Sequence, residues 1–218
     1  YQSIETSGAV DVKPIIVGAD TYLAVANYRD NSNYEINSNI YKWLSAQSCF
    51  GSGTTCGTVL QAIPTKGAYR MESFTLDGGS YLAVTNSYSP TITIGYNQPS
   101  YIYKFIASGY GCPAGGGFGN AEYGSCGTPV QAIDTSGAYG FKFFTIGNVS
   151  YLAVANAYNG TSFNINSKIY QWMPVSKCFG NGTTCGAAFQ ALATNGATQL
   201  QTFTTGPDLY LIAANAYN

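Results

Sequence analysis

Apolar and polar residues alternate in short runs, and the runs return in a fixed order. The most regular run is Tyr151–Asn156 (YLAVAN). It recurs as Tyr22–Asn27 (YLAVAN), Tyr81–Asn86 (YLAVTN) and Tyr210–Asn215 (YLIAAN). Tyr22, Ala24 and Ala26 make one face and Leu23 and Val25 the other, so both faces are apolar. That pattern predicts a strand covered on both sides. A second run, Asn39–Leu44 (NIYKWL), matches Tyr101–Ile106 and Lys168–Met173. Aromatic and β-branched residues there alternate with Lys or Gln, which predicts a strand with one wetter face. Third strands are predicted at Val59–Pro64, Val130–Ile133 and Phe189–Leu192, and fourth strands at Glu72–Leu76, Lys142–Ile146 and Gln201–Thr205. No segment carries helical apolar periodicity over ten residues. The fold class expected is therefore all-β.

The tyrosine-leucine starts lie 59, 70 and 59 residues apart. Residues 22–80, 81–150 and 151–209 are read as three repeats in one repeat domain, 1–218, flanked by partial repeats 1–21 and 210–218. The longer middle repeat has extra residues in Ser89–Ser100 and Gly111–Gly127. About fifteen strands result, nearly four blades of four antiparallel strands. Such modules cannot hide their apolar faces alone and must lean on neighbours, as in a β-propeller or a larger array.

Six cysteines fall as Cys49/Cys56, Cys112/Cys126 and Cys178/Cys185. Each pair sits at the same place in its own repeat, which favours three local disulfides, although six cysteines allow fifteen pairings. The spacing is not that of a zinc knuckle, and the chain has no His. No metal and no cofactor is expected. Disulfides point to an oxidising compartment, hence an extracellular or secreted protein.

Only 9% of residues are charged, with a formal net charge of -1. No basic field is present for nucleic acid. No apolar run reaches the length of a membrane span, so no membrane insertion is expected. The chain starts with Tyr and carries no signal peptide, and it is read as a mature product or a piece of a longer chain. Without His there is no ordinary catalytic triad, and no carboxylate pair recurs in the repeats. The expectation is a protein that is not an enzyme.

Three recurring features remain. Asn27, Asn86, Asn156 and Asn215 follow the first strand of each unit. They would either form a ring of amides at a channel mouth or cap their own loops. Tyr28, Tyr88, Tyr158 and Tyr217 lie at matching places and would either serve as aromatic platforms for sugars and partners or pack into the loops. Sequons at Asn148, Asn159 and Asn181 fall in predicted turns where a glycan can be attached.

The order Phe144–Asn156 (FTIGNVSYLAVAN), Ile169–Trp172 (IYQW) and Phe189–Ala197 (FQALATNGA) resembles the EAR repeat, also called EPTP. The resemblance implies the fold of secreted neuronal leucine-rich glioma-inactivated proteins and of large adhesion receptors, a seven-bladed propeller that binds other surface proteins. In that family, acidic residues after the first strand line the channel and hold calcium. Here Asn27, Asn86, Asn156 and Asn215 stand instead, and neutral carboxamides hold a hard cation less well. The function expected is structural and adhesive, with other copies or more of a longer chain as partners. A carbohydrate-binding module, or a receptor-binding ectodomain meeting cell-surface proteins, is the alternative.

Overall fold

A computed structural model describes residues 1–90, 95–107, 109, 111–120, 122 and 125–217. Every regular element among them is a strand, and all pairing is antiparallel. The first sheet contains β1 (Ala9–Val17), β2 (Asp20–Asn27), β3 (Asn37–Leu44), β4 (Cys49–Ser52), β5 (Thr55–Cys56) and β6 (Gln61–Pro64). The second contains β7 (Ala68–Leu76), β8 (Gly79–Asn86), β9 (Pro99–Ile106), β10 (Gly117–Asn120), β11 (Ser125–Cys126) and β12 (Gln131–Asp134). The third contains β13 (Ala138–Ile146), β14 (Val149–Asn156), β15 (Ser167–Met173), β16 (Cys178–Gly180) and β17 (Gln190–Leu192). The fourth pairs β18 (Ala197–Thr205) with β19 (Asp208–Asn215).

Three expectations are corrected. First, each sheet begins one strand earlier than the repeat frame, because the strand that ends one unit pairs with the YLAVAN strand of the next. Lys13 faces Ala24, Glu72 faces Ala83, Lys142 faces Ala153 and Gln201 faces Ile212. A two-residue turn joins these strands, and the shortest connection makes the hairpin.

Second, the described residues hold nineteen strands, not fifteen, in sheets of six, six, five and two. The outer position is split. In the first sheet, β4 pairs with the C-terminal half of β3 and β6 with its N-terminal half. The cysteine hairpin fills the break and adds short strands of its own. Third, Tyr1–Thr6 form no strand. The equivalent β6, β12 and β17 each pair with the third strand of their own sheet. Residues 91–94, 108, 110, 121, 123 and 124 lie outside the described residues, as parts of the middle unit's longer loops and the approach to them.

Disulfides join Cys49–Cys56 and Cys178–Cys185, each within one hairpin, and Cys112–Cys126, which ties β11 to the segment before β10. The hairpins are tight because Gly51, Gly119 and Gly180 follow their phenylalanines. A Cβ there would lie 2.1, 2.2 and 2.2 Å from the carbonyl oxygens of Thr55, Ser125 and Thr184. Only glycine lets the two backbones approach this closely.

The sheets stack through their first strands, β1 on β7, β7 on β13 and β13 on β18. Apolar clusters fill the interfaces. Ile15 and Tyr22 pack with Met71, Leu82 and Phe118. Phe74 and Tyr81 pack with Phe141, Leu152, Trp172 and Phe179. Ala153 and Ala155 pack with Ala197 and Leu200. The indole N–H of Trp172 donates to Asp77 Oδ2 at 2.8 Å, tying the third sheet to a turn of the second.

Candidate functional site

A repeated side-chain clamp also crosses the interfaces. Gln61 Nε2 donates to the Phe118 carbonyl at 2.7 Å, and the Phe118 N–H donates to Gln61 Oε1 at 2.7 Å. The carboxamide thus pairs with a neighbouring sheet as one more backbone unit would. Gln131 grips Phe179 in the same way, at 2.7 and 2.8 Å. Gln2 grips Phe50 at 2.6 and 2.8 Å. Gln190 is the fourth member of the series, and its side chain makes no such bond among the described residues. Sequence reasoning took these residues only as part of a third strand. The available signal was a Gln at the same place in four units, opening an otherwise apolar run.

The four asparagines bond to the backbone of nearby loops and turns. Asn27 Nδ2 donates to the Asn37 carbonyl at 2.9 Å and its Oδ1 accepts from the Ser7 N–H at 3.2 Å. Asn86 repeats this with Pro99 and Lys66, and Asn156 with Asn166 and Ser136. Asn215 Oδ1 accepts from the Asn195 N–H. Asn27, Asn86 and Asn156 are buried. Each fixes the loop after its strand to a turn of the preceding unit, the capping alternative.

The tyrosines come together at one end of the sheets. Tyr139 stacks on Tyr69 with centroids 4.2 Å apart. From Tyr69, ring contacts continue through Tyr28, Tyr34, Tyr88, Tyr96, Tyr158 and Phe163 to Tyr217. The nine rings form an unbroken spine across all four sheets, each half-buried or exposed. Most of these contacts are edge-on or tilted, the arrangement that ring quadrupoles favour. Burial, with the nearby hydroxyls of Tyr34, Tyr139, Tyr96 and Tyr69, pushes the Tyr28 phenol up to about 12. Sequence reasoning picked Tyr28, Tyr88, Tyr158 and Tyr217 but not the linking Tyr34, Tyr69, Tyr96, Tyr139 and Phe163. Those linkers lie at strand starts and in loops of unequal length.

The sequons are set differently. Asn148 is exposed in the turn between β13 and β14. Asn159 Oδ1 accepts from the N–H and hydroxyl of Thr161 and from the Ser162 N–H. Asn181 makes the same turn with Thr183 and Thr184. In both cases Nδ2, the atom that would carry a glycan, takes no part in these bonds.

The EPTP domain model matches residues 1–44, 58–105 and 128–173. The chain belongs to the EPTP family. The stretches between the matches, 45–57 and 106–127, hold the first two cysteine pairs. The chain is 34% identical over 173 residues to a mouse thrombospondin-type laminin G domain and EAR repeat-containing protein, covering 79% of the chain and 22% of the relative. It is 30% identical over 259 residues to the human protein of that name, covering 99% of the chain and 36% of the relative. The chain therefore spans about a quarter to a third of the relatives' length. In fold it is similar to an exo-beta-1,3-galactanase from Phanerochaete chrysosporium solved with beta-1,3-galactotriose. The TM-score is 0.51 at 15% identity, over 99% of this chain and 45% of that one. The three disulfides of this EPTP chain are consistent with an extracellular setting. Among the described residues no helix is long and apolar enough to cross a membrane.

Proposed function

We propose that this chain is a non-enzymatic, extracellular structural and adhesive module whose sheets are blades of a propeller-type array. Further EPTP units, from more chain or from another copy, would continue it at both ends. One observation carries this reading: the same repeat position is buried inside the stack and bare at its ends. Met71, Phe141 and Leu200 are buried against a preceding sheet, whereas their counterpart Val12 is 57% exposed. Ala24, Ala83 and Ala153 are fully buried under a following sheet, whereas their counterpart Ile212 is 52% exposed. Ile16 on β1 and Phe203 and Tyr210 on the fourth sheet are exposed as well. Gln190 supports the same reading, since the clamp it would make needs the phenylalanine of another cysteine hairpin.

Sedimentation of the 218-residue chain tests it. Self-association that grows with concentration and is abolished by Val12→Lys with Ile212→Lys is the expected result. A monomer at every concentration would count against assembly between copies. If a chain lengthened by further units also left both faces bare, continuation within the chain would fail too.

A second reading, carbohydrate binding, is favoured by the aromatic spine, because half-buried and exposed phenols offer apolar ring surface with hydroxyls at the rim. A glycan array and sugar-soaked crystals test it. Binding should fall with Tyr88→Ala, and the absence of sugar along the spine would remove this reading.

A further inference from the structure

The strands β1, β7, β13 and β18 meet around a polar cavity of about 70 Å³. Asp11 and Lys13 line it from β1, Arg70 and Glu72 from β7, Gly140 from β13 and Gln199 from β18. Its acids are already engaged. Glu72 is held by Lys13 Nζ at 3.1 Å and Lys142 Nζ at 3.6 Å, and Asp11 Oδ2 accepts from the Met71 N–H at 2.9 Å. Arg70 differs. Its Nε is buried, and no described residue accepts a hydrogen bond from it. A buried donor without an acceptor is costly, and a guanidinium cannot shed its charge to relieve that cost. The group carries three cations, Lys13, Arg70 and Lys142, against two carboxylates.

Arg70 is also fixed in place. The Thr85 hydroxyl accepts from the Arg70 N–H at 2.8 Å and donates to its carbonyl at 3.0 Å, filling a bulge between Ala68 and Met71. The other sheets have Ala26, Ala155 and Ala214 where this one has Thr85. Gly140 sits opposite, where a Cβ would come within 3.4 Å of the Arg70 side chain.

We propose that this cavity is a binding site for one small inorganic anion of halide size, held by the Arg70 guanidinium. The volume suits such an ion and is too small for a sugar ring. The site does not rest on the assembly reading, since every residue that lines it belongs to this one chain.

Crystals of the chain grown in sodium bromide provide the direct test, read by anomalous scattering. A bromide peak within hydrogen-bonding reach of Arg70 Nε is expected, and bromide found only elsewhere, or nowhere, overturns the proposal. In solution, replacing gluconate by chloride at constant ionic strength should raise Tm by about 2–4 °C. The rise should vanish in Arg70→Met, and an equal rise in that variant would also overturn it. The bromide measurement uses the unaltered chain, so it decides the matter even if the variant does not fold.

Discussion

Replacing Gln61 by Leu is expected to destabilise the chain by about 2–6 kcal/mol, one of the largest single-residue losses available in this fold. The side chain keeps its approximate size, so little packing volume is lost. What goes is the pair of hydrogen bonds to the Phe118 N–H and carbonyl. Phe118 is fully buried and Gln61 nearly so, and water cannot replace the lost partners. Each stranded backbone group costs about 1–3 kcal/mol. Gln2→Leu removes the same two bonds at an exposed site and should cost less than about 1 kcal/mol, because water can take over. Urea unfolding of the two variants against the parent reads the contrast. Equal losses would show that the clamp is not what holds adjacent sheets.

Alkaline pH should unfold the protein across a defined window. Burial pushes the Tyr22 and Tyr28 phenols up to about 12 from 10.0, with Asp20 adding to Tyr22 and neighbouring tyrosines to Tyr28. Tyr103 and Tyr170 are raised further by burial, and Tyr41, Tyr81, Tyr96 and Tyr139 move the same way. The sign follows from linkage. The unfolded chain ionises its phenols near pH 10, while the folded chain keeps these neutral. Stability is therefore fully present below pH 10 and is lost as pH rises through 12. With eight phenols pulling together, loss of the strand signal in circular dichroism should coincide with a cooperative rise in tyrosinate absorbance. A gradual tyrosinate rise centred near pH 10 over an intact strand signal would refute the burial argument.

What the sequence disclosed follows from locality. The YLAVAN strands, their apolar faces and the hairpin cysteines are set by residues close together along the chain, and periodicity exposes such relations directly. The turn role of Asn27 was visible as one of two alternatives for the same reason. The relations that escaped join residues far apart. Gln61 meets Phe118 and Gln131 meets Phe179 across sheets, and no spacing within a unit announces which backbone a glutamine will meet. The frame of the sheets was missed because pairing of β7 with β8 crosses the boundary that the repeats suggest. Arg70 was passed over because its importance lies in the strands that converge on it, and its own neighbours in sequence look ordinary.

The clamp has an evolutionary corollary. Because Gln2, Gln61 and Gln131 each reach into the next module and not their own, a duplicated stretch of coding DNA of one period arrives with both halves of a working joint. Copy number can then drift without any joint being reinvented, and selection is left to act on the loops and on whatever closes the two ends.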